Sequence, residues 1–203
     1  MKIAIIGATG NAGSRIRDEA LARGHQVIAI AREAERLPAQ PNLVTRNADV
    51  SDPSELAKQV AGADAVVSAV RFTQFDPAKL LAAIKKSGVK RYVVVGGAGS
   101  LEVAPGQQLM DKPDFPAAFR AEASKGREFL DALRREDELD WTYISPSAMF
   151  APGTRTGTFR TGGDRLLVDA QGKSAISMED FAIALVDELE QPKHIRRRFT
   201  VGY

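Results

Sequence analysis

The segment MKIAIIGATGNAGSRI places Gly7, Gly10 and Gly13 three residues apart, with Thr9, Asn11 and Ala12 among them. Glycines at this spacing, where an apolar run gives way to a helix-like pattern, suit a tight turn. They also leave backbone bare enough for a ligand to approach closely. The first amides of a helix lack partners and carry partial positive charge, so such a turn can cradle a diphosphate. The spacing G-x-x-G-x-x-G is one residue longer before its second glycine than the G-x-G-x-x-G of most dinucleotide-binding turns.

A second group of residues bears on which nucleotide would sit there. At the end of the second apolar run, where an Asp or Glu would bond a ribose 2′-hydroxyl, the sequence AIAREAERL supplies Arg32, with Arg36 four residues on and Arg15 on the first helix. A guanidinium fork matches a 2′-phosphate and would stand unpaired beside a bare hydroxyl, which favours NADP(H) over NAD(H). The competing use of Arg32 is a surface pair with Glu33 or Glu35. Asp49 and Val50 follow the third run, where a carboxylate and an amide can read an adenine edge or can simply form a helix-capping loop. Ala69, Val70 and Arg71 close the fourth run, and small residues there would let a nicotinamide ribose lie near backbone.

These positions fall where they do because two periodicities alternate. Short β-branched runs at 3–8, 26–31, 43–48, 64–70 and 91–96 read as buried parallel strands. Between them, residues 12–24, 51–62 and 76–88 read as helices. Each ends at a glycine, and the last two open on Ser51 or Asp52 with Pro53 and on Asp76 with Pro77. Alternation at this spacing predicts right-handed crossovers and a doubly wound, Rossmann-like α/β sheet. A longer helix follows over about 116–136, then a strand at 140–145, a hairpin around DAQGK at 169–173, a helix over 178–190 and a final strand at 197–202. Ser177 and Asp180 resemble a capping box with Asp in place of Glu. The expectation is one domain with a small C-terminal decoration.

Composition narrows the class of function. The 203 residues are 44% hydrophobic and 27% charged, with a net charge of +2, too small to argue for nucleic acid. Arg196–Arg198 read as a solvated strand edge. With no cysteine, disulfides, thiolate catalysis and cysteine metal sites are excluded, and His25 and His194 lie too far apart in sequence to suggest a metal pair. No apolar stretch reaches the length of a membrane span, and the opening run is strand-sized, so a cytoplasmic protein is expected.

With GATGNAG, Arg32 and Arg36, Asp49-Val50 and VVVGGAGSL in hand, the chain resembles the atypical short-chain dehydrogenase/reductases. More closely it is similar to the NAD(P)H-binding proteins proposed as NADH-flavin reductases, and more distantly to the flavin and biliverdin-IXβ reductase. The resemblance implies a phosphate cradle at Gly7, Thr9, Gly10, Asn11 and Ala12 and a 2′-phosphate clamp at Arg32 and Arg36. It also places Pro146-Ser147-Ala148 on the nicotinamide side.

The wider superfamily uses Tyr as general acid and Lys to hold the ribose, as Tyr-x-x-x-Lys on the helix after strand five. Here AEASK offers Lys125 but has Ala121 at the tyrosine position, and Gly96-Gly97-Ala98-Gly99 precedes Ser100 where the catalytic serine belongs. That departure argues against ordinary alcohol–carbonyl chemistry and leaves the catalytic residues unassigned. Hydride transfer to a flavin survives it, because the rings need chiefly to be stacked. Phe72, Phe75, Met110, Phe115 and Phe150 either floor a flat acceptor or belong to the core, Ser147 is a donor or a turn serine, and Trp141 is packing. The leading expectation is therefore an NADP(H)-dependent oxidoreductase acting on a small flat acceptor such as free flavin. The rival is a non-catalytic NADP-binding redox sensor of the NmrA-like kind. An epimerase or dehydratase is disfavoured by the missing tyrosine.

Overall fold

Alternating apolar strands can be covered on both faces only if successive side chains feed two separate cores, and the chain does this from its first strand. The computed structural model describes residues 1–203. In β1 (Lys2–Ile6), Ile3 and Ile5 point to one core while Ala4 and Ile6 point to the other. In β2 (Gln26–Ala31), Val27 and Ala29 join the first core and Ile28 and Ile30 the second. Between them α1 (Asn11–Ala22) buries Ile16 and Ala20. β3 (Leu43–Asn47), α2 (Pro53–Val60), β4 (Ala65–Ser68), α3 (Pro77–Lys86) and β5 (Arg91–Val95) follow. A small antiparallel pair, β6 (Glu102–Ala104) and β7 (Gln107–Gln108), leads to α4 (Arg120–Arg134). The chain closes with β8 (Asp140–Pro146), β9 (Met149–Ala151), β10 (Arg160–Gly162), β11 (Ala175–Ser177), α5 (Met178–Glu190) and β12 (Arg197–Gly202).

The main sheet runs β10-β12-β8-β5-β4-β1-β2-β3 and is parallel except for β10, which lies antiparallel to β12. Helices α1 and α5 cover one face through Ile16, Phe181 and Leu185, and α2, α3 and α4 cover the other through Leu56, Leu80 and Phe129. Strand order reverses at β1, flanked by β2 on one side and β4 on the other. This is the doubly wound Rossmann-like architecture, and its crevice opens at the carboxyl ends of β1 and β4. No helix is long and apolar enough to cross a membrane.

Helix boundaries follow local chemistry. Asp52 caps α2 by accepting from the amides of Ser54 and Glu55, and Asp76 caps α3 by accepting from Lys79. Four expectations are corrected. The 169–173 segment is a turn closed by the Asp169 carboxylate, which accepts from the Gln171 and Lys173 amides, and no strands flank it as a hairpin. The arginines before the C-terminus are not all solvated: the Arg198 side chain is 4% exposed, held between Asp164, just past β10, and the Ser100 carbonyl and hydroxyl. The long helix starts at Arg120, after a 3-10 turn at Ala117–Phe119. The capping box is one-sided: Ser177 accepts from Asp180, but the Asp180 carboxylate turns to Thr156, Gly157 and Tyr203.

Candidate functional site

The crevice at the strand-order reversal is a cavity of about 720 Å³ bounded by the turns after β1, β2, β3 and β4. Gly7 leaves β1 with φ +83°, and a Cβ there would stand 2.6 Å from the Ala69 carbonyl oxygen, so two strand ends meet through bare backbone. Gly10 donates to the Gly7 carbonyl at 3.0 Å, and at Gly13 a Cβ would lie 2.1 Å from that same oxygen. The turn is thus wound tightly against the start of α1. No side chain caps α1 and no acid occupies its first turn, so its opening amides and the positive end of its dipole face the crevice unanswered. Gly7, Thr9, Gly10, Asn11, Arg32, Asp49, Val50, Ala69, Val70 and Arg71 all line this cavity, and Ala12 follows Asn11 in the first turn of α1.

Arg32 is exposed at the rim of the crevice and makes no hydrogen bond or ion pair to the rest of the chain, so neither Glu33 nor Glu35 claims it. Its charge acts on Asp49. That carboxyl is held below its ordinary range by the Ser51 amide first, then by the Ser51 side chain and by the Arg32 guanidinium. Arg36 stands apart: its guanidinium is 74% exposed and paired to Glu33 at 2.8 Å. Arg15 is committed to Glu179 at 3.0 Å and to the Asn11 carbonyl.

A second cavity, about 470 Å³, opens beside the first at the carboxyl ends of β5 and β8. Rings and apolar chains from Phe72, Leu109, Phe115, Phe119, Tyr143 and Phe150 line it, with the backbone of residues 97–99 along one side and the charged Lys112, Asp114, Glu122 and Arg127 also on its wall. Phe72 stacks on Tyr143 with ring centres 6.1 Å apart and planes 15° from parallel. Of the five candidate floor residues, Phe72, Phe115 and Phe150 line this space, whereas Phe75 packs edge-on against Phe129 and Met110 is buried beneath Gly99. Phe119 was hidden by the expectation of a continuous helix from 116. The 3-10 turn swings it to the rim, where it is 62% exposed.

Polar groups near this second cavity are mostly engaged. Glu122 on α4 accepts from the Phe72 amide (2.7 Å), the Thr73 amide (3.2 Å) and the Thr73 hydroxyl (2.9 Å). It therefore fixes the loop that separates the two cavities, a role that a lone acid on a helix does not announce in sequence. The Tyr143 hydroxyl accepts from the Gly97 amide at 3.1 Å and donates to the Gly126 carbonyl at 3.3 Å. Burial pushes its pKa well above the ordinary phenol value.

Three sequence candidates lie away from both cavities. Lys125 turns to Glu128 at 2.7 Å, Ser147 is buried with its hydroxyl donating to the Val201 carbonyl at 3.0 Å, and Pro146 is buried at the end of β8. Glu136, Asp137 and Glu138 gather three carboxylates, but Lys85 holds two of them, at 3.2 and 2.9 Å.

Residues 7–192 match the family model described as NAD(P)H-binding. Among solved structures, a candidate exported protein from Burkholderia pseudomallei is 48% identical, with all of both chains covered and a TM-score of 0.89. A candidate epimerase from Bacteroides thetaiotaomicron is 43% identical over 100% of this chain and 96% of its own, with a TM-score of 0.94. A protein from Streptococcus pneumoniae proposed to be an NADH-flavin reductase is 36% identical over 100% and 99%, with a TM-score of 0.82. Three relatives of one fold thus carry three different labels, and labels alone do not decide the chemistry. Family, fold and crevice agree at a coarser level: the chain belongs to the NAD(P)H-binding family and has its oxidoreductase-like Rossmann fold.

Proposed function

We propose that this protein is an NADPH-dependent reductase that passes hydride to a flat acceptor, with free flavin as the type substrate. The observation that carries the reading is the pairing of two cavities across one loop: a polar crevice with an unpartnered guanidinium, and beside it a chamber lined by aromatic rings with charged side chains among them. The residues present fit a dinucleotide. The space next to Gly7, Gly10 and the first amides of α1 suits a diphosphate, and an uncapped helix start is where such a group gains most. Arg32 would take the 2′-phosphate, Asp49 and Val50 the adenine edge, and Ala69, Val70 and Arg71 the ribose next to the nicotinamide. Arg36 would assist only by releasing Glu33. Lys125, Pro146 and Ser147, held away from both cavities, take no part.

A bound nicotinamide cofactor supplies the hydride in this scheme; what the chain adds is placement. Phe72 belongs to the loop between the cavities and forms a wall of the second, so an acceptor stacked there meets the mouth of the first. Glu122 holds that loop by three hydrogen bonds. Glu122 and Tyr143 are committed to backbone partners and Lys112 to Asp114, so the proton that balances hydride addition comes from solvent in this scheme. The apolar rings exclude water from the faces that must touch.

Steady-state NADPH oxidation with riboflavin, a quinone and a small carbonyl tests the proposal. Turnover with the flat acceptors and little with the carbonyl is expected. Tight NADPH binding without oxidation of any acceptor would leave the sensor reading in its place.

A further inference from the structure

Four glycines stand around the ring-lined chamber, and three are demanded by packing. A Cβ at Gly96 would lie 2.3 Å from the Tyr143 ring and 2.7 Å from the Ile144 carbonyl oxygen. At Gly99 it would lie 2.6 Å from the Ala123 Cβ, and at Gly126 2.9 Å from the Phe72 ring. Gly97 is different. Its φ lies outside the left-handed region, and a Cβ there would meet only the Phe72 ring at 3.6 Å and the Tyr143 hydroxyl at 3.9 Å, both ordinary contacts. The residue is half-buried, and its amide is fixed by the Tyr143 hydroxyl, so the backbone has a defined place. Alanine would fit the fold and would lower the conformational entropy of the unfolded chain. Nothing in the protein's own packing requires glycine here.

The volume left by that absent side chain belongs to the chamber, next to Phe72 and Tyr143. We propose that Gly97 is a specificity-determining position of the acceptor site: bare backbone there admits a multi-ring planar acceptor that a methyl group would lift off the wall. The inference rests on the acceptor reading given above and adds what selects among acceptors. A single-ring acceptor does not need the full width of the wall, whereas a fused three-ring system does. One methyl in a close-fitting apolar pocket changes selectivity by about tenfold or more.

The test compares the full-length protein with Gly97→Ala. Riboflavin binding is followed by quenching of flavin fluorescence without cofactor, and NADPH oxidation is followed with riboflavin and with p-benzoquinone. NADPH affinity and the thermal midpoint are measured on both proteins. The expected result is a midpoint equal to or above that of the parent, unaltered NADPH affinity and riboflavin affinity weaker by about tenfold. The ratio of kcat/KM for riboflavin over benzoquinone should fall by a similar factor. Equal riboflavin affinity in the two proteins overturns the inference, as does a uniform loss for both acceptors with a lowered midpoint, which marks a packing role. A parent protein that binds no riboflavin at all strikes the functional proposal itself and takes this inference with it.

Discussion

Replacing Arg32 by alanine probes the reading at its most exposed point. The guanidinium has no acceptor within the protein, so its removal breaks no internal pair and orphans no buried group. Whatever is lost is lost from the ligand. A charged hydrogen bond contributes about 1.5–3 kcal/mol, and the solvent exposure of Arg32 puts screening at work, which selects the lower part of that range, about 1.5–2 kcal/mol. That corresponds to roughly 10–30-fold weaker NADPH binding. NADH lacks the 2′-phosphate and should bind both proteins alike. Arg36→Ala should cost under about 1 kcal/mol, because an exposed pair with Glu33 has little to give up. Isothermal titration of both cofactors at two salt concentrations measures all of this, and the NADPH difference should shrink at the higher one. Equal losses for NADPH and NADH would refute the clamp.

Other consequences follow from the same contacts. Gly13→Ala sets a Cβ 2.1 Å from the Gly7 carbonyl oxygen and should destabilise the fold by about 1–3 kcal/mol or more in urea unfolding, despite alanine's better helix propensity. Glu122→Ala frees the Phe72 and Thr73 amides and should raise KM for both NADPH and acceptor by roughly tenfold, with Glu122→Gln recovering part of the loss. Asp180 is buried, which opposes its ionisation, but the Thr156 and Tyr203 hydroxyls and the 156–157 amides outweigh burial and hold its pKa below the ordinary value. Its stabilising contribution is therefore complete above the unfolded carboxyl pKa of about 4 and is lost as pH falls through the lower folded value. Thermal midpoints measured as pH is lowered should show that loss in the parent and a flatter profile in Asp180→Asn.

How far the sequence carries depends on whether the deciding contact is local. β2, α5 and β12 have the bounds that periodicity predicts, and the Asp52 and Asp76 caps follow from residues one turn away. Nonlocal neighbours were out of reach. RRFTVG does not disclose that Asp164 and Ser100, 34 and 98 residues away, will close over it, so nothing in the segment marks Arg198 as inward-facing. The crevice was legible because nearly all its lining lies at or just past strand ends, and the ends of short β-branched runs are what the sequence marks. The chamber was half-legible: Phe72, Phe115 and Phe150 sit in loops that sequence can flag, whereas Glu122 and Phe119 depend on how α4 begins and what it faces. Lys125 illustrates the converse, since a motif position alone could not foresee that its ammonium turns to Glu128.

The glycines that open the chain show why a motif needs a second witness. Gly7 is required by a positive φ and by the Ala69 carbonyl, and Gly13 by the Gly7 carbonyl, so both would be glycine whether or not a phosphate ever arrived. The triplet therefore reports a tight strand–helix junction before it reports a ligand. Two further features separate the possibilities. An uncapped helix start forgoes the stabilisation that a Ser, Asp or Asn at position 10 would give, about 1 kcal/mol. An arginine on the same crevice, with no hydrogen bond or ion pair on the chain and only the Asp49 carboxylate feeling its charge, adds a second positive group to the site. Neither feature improves the empty protein, and both would be repaid by a ligand bearing phosphates at one spacing along the crevice. The junction makes the site possible, and the unanswered charge gives it a purpose.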